Sequence, residues 1–149
     1  MMNLRTALIV ALCTMAFTAT ALAGGSCKRV QGEFDGSVRG NSVAGFVSGD
    51  VPGRLVGTLD GIDEPLGPTT IRGKSALYAR GGMLKTDDMI TLVPSKRHPR
   101  ILHWKGTHKI RGGDRGYRGA TGVMYSEGKL DLRTGKLTYQ FRGQICKPR

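Results

Sequence analysis

The sequence predicts an all-β protein, a single antiparallel up-and-down barrel of about eight strands. Apolar and polar residues alternate with a period of two after Gly24, in segments that recur about every ten residues. No segment there keeps apolar residues at helical spacing for three turns. The connections are short and rich in glycine, proline and aspartate, which is typical of antiparallel neighbours.

Eight strands are expected in order along the chain. They are Lys28 to Val38, Ser42 to Ser48, Arg54 to Leu59, Thr69 to Arg80, Asp88 to Val93, Ile101 to Ile110, Gly119 to Arg133 with a bend or break at Gly128, and Lys136 to Cys146. Turn residues mark the connections: Gly36, Gly40, Asp50 to Gly53, Gly61 to Pro68, Gly81-Gly82, Pro94 to Pro99 and Thr134-Gly135. Strands of this number suffice to close a barrel with a filled or narrowly hollow interior.

The last strand has the clearest alternation. Leu137, Tyr139, Phe141 and Ile145 occupy one face, and the other face carries charged, amide and hydroxyl residues. This alternation predicts a sheet with one face packed in the interior and the other exposed to water.

Residues Met1 to Ala23 are read as a cleaved signal peptide. Arg5 precedes an apolar stretch, and the segment ends on Ala21-Leu22-Ala23, an A-x-A cleavage pattern. A membrane anchor is the alternative, but the 17 residues from Ala7 to Ala23 are short for a span and include threonines. The expected domain is therefore 24–149, in a secreted or periplasmic protein.

Two cysteines follow the cleavage point, Cys27 and Cys146, close to the two ends of the barrel domain. In an oxidising compartment such a pair is expected to form a disulfide, with two reduced buried thiols as the alternative. A bridge requires the first and last strands to meet, because the two Cα atoms must lie within about 7 Å. It therefore favours a closed barrel over an open sandwich.

The segment from Ile110 to Gly122 is the most distinctive, with the sequence Ile-Arg-Gly-Gly-Asp-Arg-Gly-Tyr-Arg-Gly-Ala-Thr-Gly. It resembles the glycine-rich turn of the allene oxide cyclase-like and dirigent-like barrels, and the resemblance continues through Glu127 to Leu132 and Tyr139 to Ile145. The resemblance implies an eight-stranded antiparallel barrel that is often oligomeric, with plant members that bind hydrophobic or phenolic intermediates. It assigns a catalytic role to no residue of this chain.

The sequence supplies no recognisable catalytic or metal-binding set. His103 and His108 fall on opposite faces of one strand, so a shared metal is not expected, and His103 beside Trp104 is the candidate for a single functional histidine. No serine lies in a G-x-S-x-G elbow. Glu33 and Asp35 share a strand face, while Asp63-Glu64 and Asp87-Asp88 are read as turn acids.

Two glycine-containing patterns suggest nucleotide or nucleic-acid binding, and both fail on context. Gly73-Lys74-Ser75 lacks the earlier glycine of a phosphate-binding loop, since Pro68 stands there, and no helix follows. Arg111-Gly112-Gly113 and Arg115 to Gly119 resemble RNA-binding arginine-glycine boxes, but they lie between two strand patterns of an exported chain. No nucleic-acid partner and no cofactor are expected.

Charge is the remaining functional signal. The chain has 23 Lys and Arg residues and 11 Asp and Glu residues. The segment from Lys96 to Arg118 contains eight basic residues and a single acid, Asp114. This asymmetry favours an anionic partner, such as an acidic glycan, a lipid surface or an acidic protein. A surface whose charge only keeps the protein in solution is an equal alternative. The expected binding residues are Lys105, Lys109, Arg111, Arg115 and Arg118.

The sequence thus predicts an exported, non-catalytic barrel that binds an anionic envelope component or a small apolar ligand. An isomerase or cyclase-type enzyme of the allene oxide cyclase-like barrel class is the alternative. An interior pocket of about 300 Å³ or more, with a desolvated carboxylate or histidine, would favour the enzyme.

Overall fold

The computed structural model describes residues 25–60 and 68–149. The predicted signal peptide and the acids Asp63-Glu64 lie outside the described residues. Within these described residues, eight strands and one short 3₁₀ helix follow in chain order: β1 (Ser26–Arg39), β2 (Ser42–Gly49), β3 (Gly53–Leu59), β4 (Thr69–Ala79), β5 (Gly82–Pro94), β6 (Ile101–Gly113), the 3₁₀ helix (Arg115–Tyr117), β7 (Thr121–Asp131) and β8 (Lys136–Lys147).

The strands form a closed antiparallel up-and-down barrel, as the sequence predicts. Each strand pairs with the next along the chain, and β8 returns to pair with β1. Cys27 lies opposite Cys146 in that last seam, where their sulfur atoms form a disulfide and their Cα atoms are 3.9 Å apart. Both the closed barrel and the terminal bridge are therefore confirmed.

Most strand bounds agree with the predicted ones, and the largest difference is at β5. The strand begins at Gly82 rather than Asp88, so the interpretation of Asp87-Asp88 as turn residues is wrong. In the first half of β5, Thr86 and Asp88 point into the barrel. Because polar residues occupy these inward positions, the sequence lacks the alternation of apolar and polar residues that indicates a strand. Of the bend or break expected at Gly128, the break is wrong, because β7 pairs continuously with both neighbours there.

Period-two alternation places one face of every strand in a packed interior. Along β6, for example, Leu102, Trp104 and Ile110 are buried while Lys105 and Lys109 are exposed. Phe34, Leu130 and Leu137 are among the side chains that fill the barrel. Since a fully buried aliphatic or aromatic side chain stabilises a fold by roughly 1.5–3 kcal/mol, this interior is the main stabilising element.

One end of the barrel, which we call the disulfide end, contains the Cys27–Cys146 bridge and the connections β2–β3, β4–β5 and β6–β7. The 3₁₀ helix packs there over the β4–β5 turn, where the Gly116 N–H donates to the Gly81 carbonyl at 2.9 Å. The Asp114 carboxylate accepts a bond from the Met83 N–H at 2.6 Å. The glycine-rich segment is therefore a structured cap rather than a loose loop.

Among the described residues, no helix is long and apolar enough to span a membrane.

Candidate functional site

The barrel interior contains five buried or half-buried polar side chains, which we call the polar cluster: Ser75, Thr86, Asp88, His108 and Ser126. They come from four consecutive strands, β4 to β7. Each stands at an inward position of the alternation that also buries apolar neighbours such as Ile90 and Leu130. The cluster is thus a polar centre within an otherwise apolar core.

Hydrogen bonds join the cluster into one chain. The ring of His108 contacts an Asp88 oxygen through Nδ1 at 2.8 Å and Ser126 Oγ through Nε2 at 2.7 Å. Trp104 Nε1 donates to the same Ser126 Oγ at 3.0 Å. An indole N–H can only donate and a carboxylate can only accept. Nδ1–H of the imidazole therefore donates to Asp88, and Ser126 Oγ joins the indole to the other ring nitrogen.

Two hydroxyl groups complete the surroundings of the Asp88 carboxylate. Thr86 donates at 2.7 Å, and Ser75 donates to the second carboxylate oxygen. Among the described residues, no buried side-chain nitrogen or oxygen is left without a partner. The cluster is fully satisfied, which is the condition under which buried polar groups stabilise a fold.

The environment shifts the acidity of two of the buried groups. Burial raises the pKa of Asp88, but the hydrogen bond and charge of His108 and the two hydroxyl donors outweigh it, so the pKa lies below its usual 3.8. Burial, followed by the nearby Asp88 charge, holds the pKa of Tyr139 far above its usual 10. Asp88 is therefore ionised and Tyr139 neutral at neutral pH.

Tyr139 occupies the centre of the aromatic packing around the cluster. Its ring stacks on Phe34 with centroids 4.7 Å apart and on Trp104 at 5.8 Å, and the imidazole of His108 lies 6.0 Å away. These contacts fix the orientation of both the indole and the imidazole. The acid–base groups are consequently held rigidly inside the barrel.

A small cavity with a volume of about 30 Å³ adjoins the cluster. His108, Tyr139, Ser75 and Thr86 line it together with apolar side chains, whereas Ser126 and Asp88 do not. This space suits one or two water molecules, and ligand pockets are about ten times larger or more. The order Ser–His–Asp resembles a hydrolase triad, but the serine has no open space before it.

Gly106 makes room for the contact between His108 and Ser126. A Cβ at this position would collide with Ser126 Oγ and lie 2.8 Å from His108 Nε2. We therefore expect Gly106→Ala to lower the free energy of unfolding by about 1–3 kcal/mol, measured by urea denaturation. Gly81→Ala is the matched control, because the nearest atom to its Cβ would be 3.5 Å away. Equal stability of both variants would contradict this role of Gly106.

The structure separates the basic residues that the sequence groups together. Lys96, Arg97 and Arg100 precede β6, and Arg115 and Arg118 follow it, so a strand of 13 residues, about 40 Å long, stands between them. The predicted basic stretch from Lys96 to Arg118 is therefore two surfaces at opposite ends of the barrel.

The five predicted binding residues are all exposed, but in different settings. Lys105 pairs with Glu127 at 3.4 Å, and Arg111 pairs with Asp87 at 2.6 Å. Lys109 points outward from β6, and Arg115 and Arg118 belong to the β6–β7 connection at the disulfide end. No salt bridge between described residues involves these last three.

Other candidate residues also have definite positions. His103 is exposed on the outer face of β6. Glu33 and Asp35 are exposed on the outer face of β1. The histidine that lies among chemically active groups is His108, which sequence reasoning did not select. Its signal was its even spacing from Trp104, which puts both on the same inward face. Within residues 25–60 and 68–149, no group of His, Cys, Asp and Glu is arranged to hold a metal ion.

These features define a closed eight-stranded barrel with a packed interior around a hydrogen-bonded polar cluster. No family model, curated protein or solved structure matches the chain.

Proposed function

We propose that this protein is an exported, non-catalytic barrel that binds anionic phospholipid headgroups of the cell envelope with its disulfide end. The observation that carries the proposal is a concentration of exposed basic side chains at that end. They are Lys28, Arg29, Arg80, Arg115, Arg118, Lys147 and Arg149. None of them forms a salt bridge with another described residue.

Two acids, Asp50 and Asp114, lie in the described connections of this end, and neither forms a salt bridge with these cations. Asp50 accepts a hydrogen bond from the Gln31 N–H at 2.9 Å, and Asp114 accepts one from the Met83 N–H. Lys147 is held over the ring of Tyr117, 4.5 Å from its centroid, which fixes the cation at the rim. The positive groups thus remain available to an external anion.

The packed interior supports a surface site over the alternatives. A cavity of about 30 Å³ is too small for an apolar ligand or for the substrate of an isomerase or cyclase. The enzyme alternative has one favourable observation, the Asp88–His108 pair beside that cavity. It would require the interior to open.

Export and the family resemblance remain part of the proposal. The signal-peptide pattern of residues 1–23 and the Cys27–Cys146 bridge support a secreted or periplasmic location. The eight-stranded up-and-down barrel and the capped glycine-rich segment support kinship with the allene oxide cyclase-like barrels, whose members are often oligomers.

The test is binding to vesicles after removal of three charges from one end. We expect the triple variant Arg80→Gln, Arg115→Gln and Arg118→Gln to bind phosphatidylglycerol vesicles about 100-fold more weakly, since each cation near an anionic surface contributes about 1 kcal/mol. Co-sedimentation with anionic and neutral vesicles at low and high salt measures it. Wild-type binding should weaken with salt.

The opposite end supplies a control of equal charge. The triple variant Lys96→Gln, Arg97→Gln and Arg100→Gln loses the same three charges from the β5–β6 connection and should bind nearly as wild type does. Equal loss in both triple variants would mean that net charge alone drives binding. Retention on an acidic polysaccharide but not on vesicles would replace the lipid with a glycan partner.

A further inference from the structure

The outer face of the barrel has a groove that runs along β8, between the side chains of β7 and β1. Its central part has a volume of about 760 Å³, far more than the interior cavity, and lies in the usual range of ligand clefts. Tyr125, Arg142 and Gln31 line it, and backbone of Gly32 and Gly106 also contributes. The groove is separate from the cationic residues of the 3₁₀ helix.

Strand register places the lining side chains in ordered rows. Tyr125 lies opposite Arg142, which lies opposite Gln31 on β1. The next row contains Glu127, Gln140 and Glu33, in which Gln140 Nε2 donates to a Glu33 oxygen at 3.2 Å. Rows two residues apart are separated by about 7 Å, and neighbouring strands by about 5 Å. The groove therefore presents planar polar groups at regular intervals beside an exposed aromatic ring.

The charges of the central part of the groove nearly cancel, with two cations against three acids, unlike those of the disulfide end. Its central part contains the cations Lys105 and Arg142 and the acids Glu33, Asp50 and Glu127. Two of the acids already interact with other side chains, Glu127 with Lys105 and Glu33 with Gln140. A strongly anionic polymer would meet carboxylates here, so charge complementarity favours an uncharged partner.

The closed sheet that forms the barrel wall also restricts how a partner can bind. In a closed barrel no strand edge is free, so an extended peptide cannot add to the sheet through its backbone. Recognition must come from side chains. In the centre of the groove these are amides and carboxylates together with Lys105, Thr107, Arg142 and Tyr125, and Tyr125 is 57% exposed. Such groups suit a partner with many hydroxyl groups and apolar C–H faces.

We propose that this groove binds a neutral oligosaccharide chain. The ring of Tyr125 stacks on the C–H face of one sugar. Arg142 donates hydrogen bonds to its hydroxyl groups, while the amides of Gln31 and Gln140 donate to and accept from those of this sugar and the next. Because an exposed aromatic anchor contributes much of the energy in such contacts, Tyr125 is the key residue. This site is independent of the phospholipid binding proposed above.

The experiment titrates the full mature protein with cellohexaose, maltohexaose and chitohexaose by isothermal titration calorimetry. At least one should bind with a Kd below about 1 mM, and Tyr125→Ala should weaken that binding about tenfold. Tyr78→Ala is the matched control, since Tyr78 is 52% exposed on β4, outside the groove, and should leave the Kd unchanged. Arg142→Gln should also weaken binding.

Three outcomes would overturn the proposal. They are no binding of any of the three hexasaccharides, equal affinity of Tyr125→Ala and Tyr78→Ala, and a loss of sugar binding in the disulfide-end triple variant. Since a neutral hexasaccharide carries no charge, its affinity should not change with salt, whereas vesicle binding should. The two proposals can therefore fail separately.

Discussion

Replacing Cys27 and Cys146 together by serine is expected to lower the free energy of unfolding by up to about 4.7 kcal/mol, the value of the chain-entropy estimate for a loop of about 100 residues. The bridge joins residues 119 apart, so its removal frees almost the whole described chain in the unfolded state. A loss of that size is comparable with the total stability of many domains, about 5–15 kcal/mol. The variant should therefore approach the limit of folding at physiological temperature.

Urea denaturation of the oxidised protein, the reduced protein and the double variant measures this effect. The reduced protein and the variant should have the same midpoint, well below that of the oxidised protein, because both lack only the cross-link. A midpoint unchanged by reduction would mean that the strand pairing of β1 with β8 alone closes the barrel.

Asp88→Ala is expected to lower the free energy of unfolding by about 3–5 kcal/mol, the usual result of removing one partner from a buried pair. The change leaves His108, Ser75 and Thr86 without their acceptor in the core. Asp35→Ala is the control, since Asp35 is an exposed acid 3.7 Å from Lys136 and should contribute at most about 1 kcal/mol. Similar losses in both variants would contradict the central role of the cluster.

The same carboxylate predicts a pH dependence with a definite sign. The pKa of Asp88 is lower in the folded state than its usual 3.8, so the unfolded chain binds more protons at acid pH. The stabilisation is fully present above the unfolded value and is lost as pH falls through the lower folded value. Urea midpoints of the wild type should therefore fall on acidification below about pH 4, and those of Asp88→Ala should fall less.

The strands could be predicted because alternation is a local property of the chain, and closure could be predicted because a bridge between Cys27 and Cys146 requires the first and last strands to meet. Where inward positions are apolar, as with Leu137 and Phe141 in β8, the predicted and observed bounds agree within one residue. The prediction failed at the start of β5, where Thr86 and Asp88 point inward. A polar residue at a core position is indistinguishable from a turn residue until its partners are known.

Less of the candidate site could be predicted, since its members meet only through the barrel. Asp88, His108 and Ser126 belong to three strands, and alternation could place each inside but could not bring them into register. The surface charges show the converse problem. Lys96 and Arg118 are near in sequence, but the intervening β6 separates them along the full length of the wall.

The seam between β1 and β8 also governs the time course of folding. Every other pair of neighbouring strands is consecutive in the chain, whereas this seam joins Cys27 to a partner 119 residues away. Contacts between distant residues form slowly, because the chain must first search for a large closed loop. In a chain that already has the disulfide, Cys27 and Cys146 are joined before refolding begins, so this large loop is already closed. Oxidation therefore affects not only the free energy of unfolding of the barrel but also the rate at which it refolds.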